Sequence, residues 1–137
     1  MAESFGDAIR NVLANAFVDT LDGGSLKIYD ATGGVPADVT VAITGQVLLV
    51  DINPLPTPAF GAAAAGVASL SGVWSDASAN ASGTAAFFRL VTSGAVEHLQ
   101  GTVTGVGGGG EIELSNVVIG ITDVVTMSTF TYTQPAS

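Results

Sequence analysis

The sequence predicts an all-β protein, an antiparallel β-sandwich of the jelly-roll or immunoglobulin-like type, with one N-terminal amphipathic α-helix. Apolar residues recur at helical spacing only within the first twenty-odd residues. From Leu26 onward, short runs rich in Val, Ile and Thr are separated by Gly, Ser, Asn and Asp turns. The strand–helix–strand rhythm of parallel sheets is not present. We therefore predict a helical arm at residues 1–24 and a β-sandwich domain at residues 25–137.

The helix is predicted over roughly residues 4–21. Ser4 and Asp7 resemble a capping box, with Asp in place of the usual Glu, and Gly23-Gly24 supplies the C-terminal stop. Because an isolated helix of this length is marginal in water, we expect its apolar stripe to be buried, either on its own sheet or on a neighbouring subunit. The stripe consists of Phe5, Ile9, Val12, Leu13, Ala16, Phe17 and Leu21.

The first part of the β-region contains three predicted strands and a linker. Residues 26–30 form a short strand, and residues 39–43 alternate apolar with small or polar side chains. Residues 47–52 form a continuous apolar run, typical of a strand that is covered on both faces. An extended linker outside any sheet follows, because proline fixes the backbone and removes a donor at three positions: Pro54, Pro56 and Pro58.

Five further strands are predicted at the close spacing of an antiparallel sandwich or barrel. They cover residues 67–75, 84–92, 95–104, 111–119 and 123–133. Between the third and fourth, Gly105-Val106-Gly107-Gly108-Gly109-Gly110 formally matches the GxGxxG motif of dinucleotide-binding loops. That motif needs a helix after it, and a strand-like alternation follows instead. We therefore predict a flexible hairpin tip at this segment.

The composition limits the classes of function. The 137 residues include no cysteine, one histidine, one lysine and two arginines against twelve acids, and the net charge is −9. Nucleic-acid binding needs a basic stripe, and a membrane helix needs about 18 consecutive apolar residues. We therefore predict no direct contact with nucleic acid or membrane. Because only 11% of residues are charged, much of the surface is uncharged and partly apolar, which favours a homo-oligomer.

The groups that could do chemistry are isolated from one another. His98 neighbours Glu97, but the two point to opposite faces of a strand, and a metal site would need further ligands. Glu111 and Glu113 share a strand face, as paired glycosidase carboxylates can, but a solvated edge strand is the simpler interpretation. We predict a non-enzymatic protein with no catalytic, cofactor-binding or metal-binding residues.

Arg89 and Trp74, which both lie in apolar segments, complete the set of interface candidates. Arg89 interrupts the apolar run 85–91, so we expect it to pair with a carboxylate, within the subunit or across an interface. Trp74 is the single tryptophan and is predicted to be a core or interface anchor. The interface candidates are Phe5, Ile9, Val12, Leu13, Phe17, Trp74 and Arg89.

Several segments of the chain resemble a group of small structural proteins encoded by tailed-bacteriophage genomes. The resemblance covers about residues 5–133 and carries packing motifs without a catalytic residue. It rests on the helix followed by Gly-Gly, on LKIYD at 26–30, PAFG at 58–61, SGTAAFFRLV at 82–91 and VTMSTFTY at 125–132.

The resemblance implies a virion structural protein. Within that class we expect a capsid decoration (cement) protein, a trimer that contacts the major capsid protein and belongs to the virion after assembly in the host cytoplasm. A tail, neck or fibre-adaptor protein is an alternative in the same class. A carbohydrate-binding β-sandwich module is an alternative from another class, with Trp74, Tyr29 and Tyr132 as its candidate stacking aromatics.

Overall fold

The computed structural model describes residues 3–127 and 129–136, and within them the chain forms one α-helix and eleven short β-strands. The helix α1 spans Asp7–Asp19. The strands are β1 (Ser25–Tyr29), β2 (Leu48–Ile52), β3 (Val67–Ser69), β4 (Trp74–Asp76), β5 (Gly83–Thr84), β6 (Phe87–Val91), β7 (Glu97–Gly105), β8 (Ile112–Leu114), β9 (Val118–Ile119), β10 (Val125–Met127) and β11 (Thr131–Thr133). The prediction of a β-rich chain with one N-terminal helix is confirmed.

The strands form one larger sheet and three strand pairs. The larger sheet has the order β2-β1-β6-β7-β8, and the pairs are β4–β10, β3–β11 and β5–β9. Val67 lies opposite Thr133 and Trp74 opposite Met127, so two predicted strands do run antiparallel to each other. Each is divided into two short strands, and Gly72, with a φ of 70°, turns the backbone between β3 and β4.

One hydrophobic core joins the five-stranded sheet to the strand pairs. Because side chains alternate along a strand, β1 and β6 turn Leu26, Ile28, Phe88 and Leu90 to the same face. The rings of Phe88 and Phe130 meet edge to face at 5.5 Å between centroids. Aromatic pairs favour this arrangement. The core also includes Val50, Phe60, Ala68, Trp74, Val103, Ile112, Val125 and Met127.

The strands β7 and β8 are parallel, which corrects the predicted hairpin at the glycine run and the all-antiparallel prediction. Val103 lies opposite Ile112, and only the segment 106–111 connects the two strands. Parallel neighbours ordinarily need a crossover of a dozen or more residues. Gly107 and Gly109 have φ angles of 86° and 83°, a left-handed backbone that glycine adopts without steric cost. These two residues let a short loop return the chain in its original direction.

Residues 31–46, all within the described part of the chain, form a long loop between β1 and β2. The strand predicted over residues 39–43 is wrong. Nη2 of Arg89 donates hydrogen bonds to the backbone carbonyls of Asp38 and Val41. These two carbonyls are therefore bound by a side chain and not by a neighbouring strand. The loop therefore covers the face of the sheet from which Arg89 projects.

The helix is shorter than predicted, and its capping box is absent. The N-cap residue is Gly6, which is extended with φ −72° and ψ 165°, and no side chain accepts a hydrogen bond there. Ser4 and Asp7 therefore do not cap the helix. The helix ends at Asp19, before the predicted glycine stop, and packs against β3 and β11.

Candidate functional site

The helix is attached to the body through polar side chains. The guanidinium of Arg10 donates from Nε and Nη2 to the carbonyl of Gln134, at 3.1 and 3.0 Å. Asn11 Oδ1 accepts the N–H of Gly66 at 2.8 Å, and Asn15 Oδ1 accepts the N–H of Ala63 at 2.8 Å. These bonds satisfy donors in a loop that has few ladder partners, which is a general requirement for buried backbone. Ala14 and Val18 are the buried residues of the helix and lie on the same side.

The opposite side of the helix presents an apolar surface to solvent. At about 100° per residue, Ile9, Val12 and Ala16 lie roughly half a turn away from Ala14 and Val18. All three are exposed, and Val12 retains 59% of its accessible surface. We call this surface, with the half-exposed Phe5 that precedes the helix, the outer stripe. Of the two predicted arrangements, burial on the chain's own sheet does not hold for Ile9, Val12 and Ala16, because the helix is rotated so that its asparagines face the body. Burial on a neighbouring subunit stays a prediction.

The remaining two candidates on the helix are partly buried. Leu13 has intermediate exposure. Phe17 packs against the core cluster, and its ring centroid lies 4.4 Å from that of Tyr132. The ring of His98 stacks with Phe17 at 6.3 Å between centroids, and its Nδ1 lies 3.1 Å from the Thr20 hydroxyl. The Phe17 contact therefore fixes the C-terminal turn of the helix on the body.

Arg89 is buried and paired within the chain, which is one of the two arrangements predicted for it. Only 1% of its surface is accessible. Nη1 forms an ion pair with Glu97, and Nε donates to Gln100 Oε1 at 2.9 Å. With the two loop carbonyls, every nitrogen of the guanidinium has an acceptor, as burial of a charge requires. Arg89 is thus the anchor of the 31–46 loop.

A polar row crosses the face of the sheet beneath this loop. In register, Asp51 lies opposite Lys27, Lys27 opposite Arg89, and Arg89 opposite Gln100. Lys27 Nζ lies 3.1 Å from Asp51 Oδ2. Burial, followed by the negative charge of Glu97, raises the pKa of the neighbouring Tyr29. The row is built from intrachain ion pairs and hydrogen bonds, so it supports the loop and does not form an open site.

Two aspartates fix the loop's own backbone. The carboxylate of Asp30 accepts the N–H of Val47 at 2.8 Å and the N–H and hydroxyl of Thr32. Burial acts to raise the pKa of Asp30, but these hydrogen bonds together hold it below its usual value. Hydrogen bonds from the hydroxyl and N–H of Thr40 likewise lower the pKa of Asp38. Both carboxylates therefore act as ionised acceptors that shape a turn.

The two glutamates near the glycine loop have the same kind of structural role. Glu111 accepts the N–H of Thr102 at 2.8 Å, and Glu113 accepts the N–H of Gly109 at 2.9 Å. Both residues are exposed. Each carboxylate thus binds the backbone of the loop or of β7, and their strand-face pairing does not create an enclosed acid–base site.

Two grooves lie on the body. One, of about 480 Å³, runs along β9 and β10, and its described lining has polar side chains such as Asn116, Asp123 and Thr126 but no aromatic ring. The other, of about 470 Å³, is lined by Gln100, Glu111 and the aromatic Tyr132, among others. Phe17 covers part of the Tyr132 ring, and the other two candidate stacking aromatics, Trp74 and Tyr29, are buried.

Within the described residues, no group of three or more histidine, aspartate or glutamate side chains is placed to hold a metal ion. No helix among residues 3–127 and 129–136 has the length and apolarity that a membrane span requires. The outer stripe is an exposed apolar surface on the described part of the chain, and exposed contiguous apolar residues mark interaction sites.

The residues that orient the stripe were missed by sequence reasoning. Asn11 and Asn15 are separated by one helical turn, so their side chains lie on one side of the helix. Asparagine in a helix interior is unfavourable unless its side chain finds a partner. This pair, together with the neighbouring Arg10, was the available signal that the polar side faces the body.

The chain matches no protein-family model, no curated protein and no solved structure in comparisons with all three.

Proposed function

We propose that this protein is a structural component of a tailed-bacteriophage virion, and within the virion a capsid decoration protein that stabilises the head. The observation that carries the proposal is the outer stripe. A helix that binds its own body through Arg10, Asn11 and Asn15 leaves Ile9 and Val12 available for another surface. That division suits a protein whose task is to add buried area to an assembly.

Two further features support the proposal. The sequence segments that resemble phage structural proteins include the Phe87–Val91 strand, which forms β6 at the centre of the sheet. Most of the described acidic side chains act as backbone acceptors or ion-pair partners, for example Asp30, Glu97 and Glu113. Such groups serve stability, which is the main requirement on a shell component.

We further propose that the body is a distorted β-sandwich. The interrupted ribbon of β3–β4 with β10–β11 forms the second layer, and the five-stranded sheet forms the first. Trp74 and Met127 from the ribbon share one core with Ile28 and Leu90 from the sheet. Two layers around one core are the defining property of that architecture.

The test is binding to capsids. Purified protein is mixed with heads assembled without it from the same phage genome, and the heads are separated by sedimentation and imaged in negative stain. We expect saturable binding at a fixed number of copies per head and heads that resist heating better than bare ones. Absence from heads combined with presence in purified tails would favour the tail, neck or fibre-adaptor alternative.

A carbohydrate-binding module remains the alternative from another class, and the groove beside Tyr132 is the feature that favours it. Retention on a glycan array that is lost in Tyr132→Ala would support this alternative. We expect no such retention, because Phe17 already packs on that ring.

A further inference from the structure

We infer that the outer stripe binds an apolar groove rimmed by lysine or arginine on a different protein, and that it is not a contact between copies of this chain. The inference rests on the proposed function and names the chemistry of the partner. It depends on the charges that surround the stripe.

The described surface near the helix offers carboxylates and no uncommitted cation. Asp19 continues the line of Val12 and Ala16 along the helix and is exposed. The exposed Glu3 precedes Phe5 at the other end of the stripe, whereas Asp7 lies seven residues before Ala14, on the body-facing side of the helix, and contacts Arg10. Arg10 is turned towards the body and bound to the carbonyl of Gln134. The stripe therefore has negative charge at both ends.

The other two bases of the chain are also committed. Lys27 is paired with Asp51 and Arg89 with Glu97, both on the sheet. With a net charge of −9, one copy cannot supply the cations that the stripe of another copy lacks. A complementary surface has to come from a protein with exposed bases, because complementary potentials favour encounter and like charges oppose it.

Self-association through the stripe would bring carboxylates together in either orientation. A parallel pair or trimer of helices places Asp19 against Asp19. An antiparallel pair places Asp19 near the Glu3 end of the stripe. Like charges at such positions destabilise a helix pair. An anionic membrane is disfavoured for the same reason, since interfacial helices carry Lys and Arg beside the apolar face.

The test uses two synthetic probes on the full-length protein. One is a stapled amphipathic helix with a leucine stripe flanked by lysines, and the other is the same peptide with glutamates in place of lysines. Binding is measured by calorimetry, and contacts are located by backbone amide shifts. We expect the lysine peptide to bind with shifts centred on Ile9, Val12 and Ala16, and the glutamate peptide to bind at least about tenfold more weakly.

Two variants separate the apolar from the charged contribution. Val12→Asp should weaken lysine-peptide binding at least about tenfold, as loss of a central apolar contact does. Asp19→Lys should weaken it about three- to tenfold and reduce its dependence on salt. Glu113→Lys makes the same charge change near the glycine loop and is the matched control, with affinity unchanged. A melting curve confirms that each variant is folded.

Three results would overturn the inference: equal affinity for both peptides, equal losses in Asp19→Lys and Glu113→Lys, or dissociation of a homo-oligomer by Val12→Asp. The proposed function has its own readout. If the wild-type protein fails to bind heads while the lysine peptide binds the stripe, the virion assignment is wrong and the partner chemistry stands. If the protein binds heads but has equal affinity for the lysine and glutamate peptides, the inferred partner chemistry is wrong and the virion assignment stands.

Discussion

At the scale of single residues, Arg89 is the strongest case of a side chain that determines structure at a distance. It lies in β6 and holds the carbonyls of Asp38 and Val41, about fifty positions earlier in the chain. Removing one partner of a buried ion pair costs about 3–5 kcal/mol. We expect Arg89→Met to lower the free energy of unfolding by about that amount in urea titrations, with the oligomeric mass unchanged because the side chain is buried.

Lys27 provides the matched comparison for Arg89. It forms an ion pair on the same face of the sheet, but both partners keep about a quarter of their side-chain surface. Ion pairs that water reaches are worth less than fully buried ones, so Lys27→Met should cost less than Arg89→Met. Similar losses in the two variants would mean that the loop does not depend on the buried guanidinium.

Asp30 makes a prediction about pH. Its pKa is lower in the folded chain than in the unfolded one because Val47 and Thr32 donate hydrogen bonds to its carboxylate. A group with a depressed pKa stabilises the fold above its unfolded pKa, near 4, and this contribution is lost as the pH falls through the folded value. Asp30→Asn should therefore be about 1 kcal/mol less stable than wild type at pH 7.

The difference between this variant and the wild type should shrink as the pH falls below the unfolded pKa near 4, because the wild-type carboxylate then becomes protonated first in the unfolded chain and finally in the folded one. Thermal melts at intervals between pH 3 and pH 7 measure the difference. A stability difference that is constant over this range would show that the loss in Asp30→Asn does not come from the charge.

At the scale of elements, one side of the helix packs on the body and the other side is exposed to solvent. Phe17 packs on Tyr132 and the core cluster, whereas Val12 is exposed. We expect Phe17→Asp to cost about 2–4 kcal/mol, because a carboxylate replaces a packed ring. Val12→Asp on the same helix should cost about 0.5 kcal/mol or less, as for other surface changes. Equal melting temperatures for the two variants would mean that the helix is not anchored at its C-terminal turn.

The loop between β7 and β8 gives a second element-scale prediction. Gly107 has a φ of 86° with open space around its Cα, so a methyl group there would cause backbone strain without a clash. Gly107→Ala should therefore cost about 1–2 kcal/mol. Gly105→Ala is the control, since that position in β7 also has open space and no positive φ. Chemical denaturation of both variants checks the difference, and equal stability would argue against the tight parallel return.

The sequence predicted the positions of the helix and of most strands correctly, but it did not predict which other parts of the chain they contact. Periodicity located the helix and the regions of the strands, because local propensity and burial act in the same direction there. It misassigned residues 39–43 as a strand, since the carbonyls of Val41 and of the preceding Asp38 are bound by Arg89, which is remote in sequence. It left open whether the apolar stripe of the helix faces the sheet or a neighbouring subunit, because apolar content does not reveal that the N–H groups of Gly66 and Ala63 bind Asn11 and Asn15.

At the scale of the whole molecule, the remaining exposed apolar residues predict where copies of the chain meet. Val118 and Val124 line the groove along β9 and β10, and Val124 retains 68% of its surface. Because the outer stripe is flanked by carboxylates, this second surface is the better candidate for the predicted trimer. We expect light scattering to give a trimer at micromolar concentration, and Val124→Asp to lower the mass while Val12→Asp leaves it unchanged.

A monomer at all concentrations would contradict the oligomer prediction and would leave the proposed capsid binding to its own test. Retention of the trimer in Val124→Asp would place the contact between copies elsewhere on the body. Both measurements require that the variants have the melting temperature of the wild type. We expect this because Val12 and Val124 are exposed.

The docking of the helix by its polar side has a consequence for how such a protein diverges in evolution. Asn11 and Asn15 are tied to the fold through the N–H groups of Gly66 and Ala63, whereas Ile9 and Val12 contribute little to it. Selection on recognition and selection on folding therefore act on alternate positions of the same thirteen-residue helix. If the partner surface changed during evolution, the residues of the outer stripe could be substituted one at a time, and each intermediate sequence would still fold.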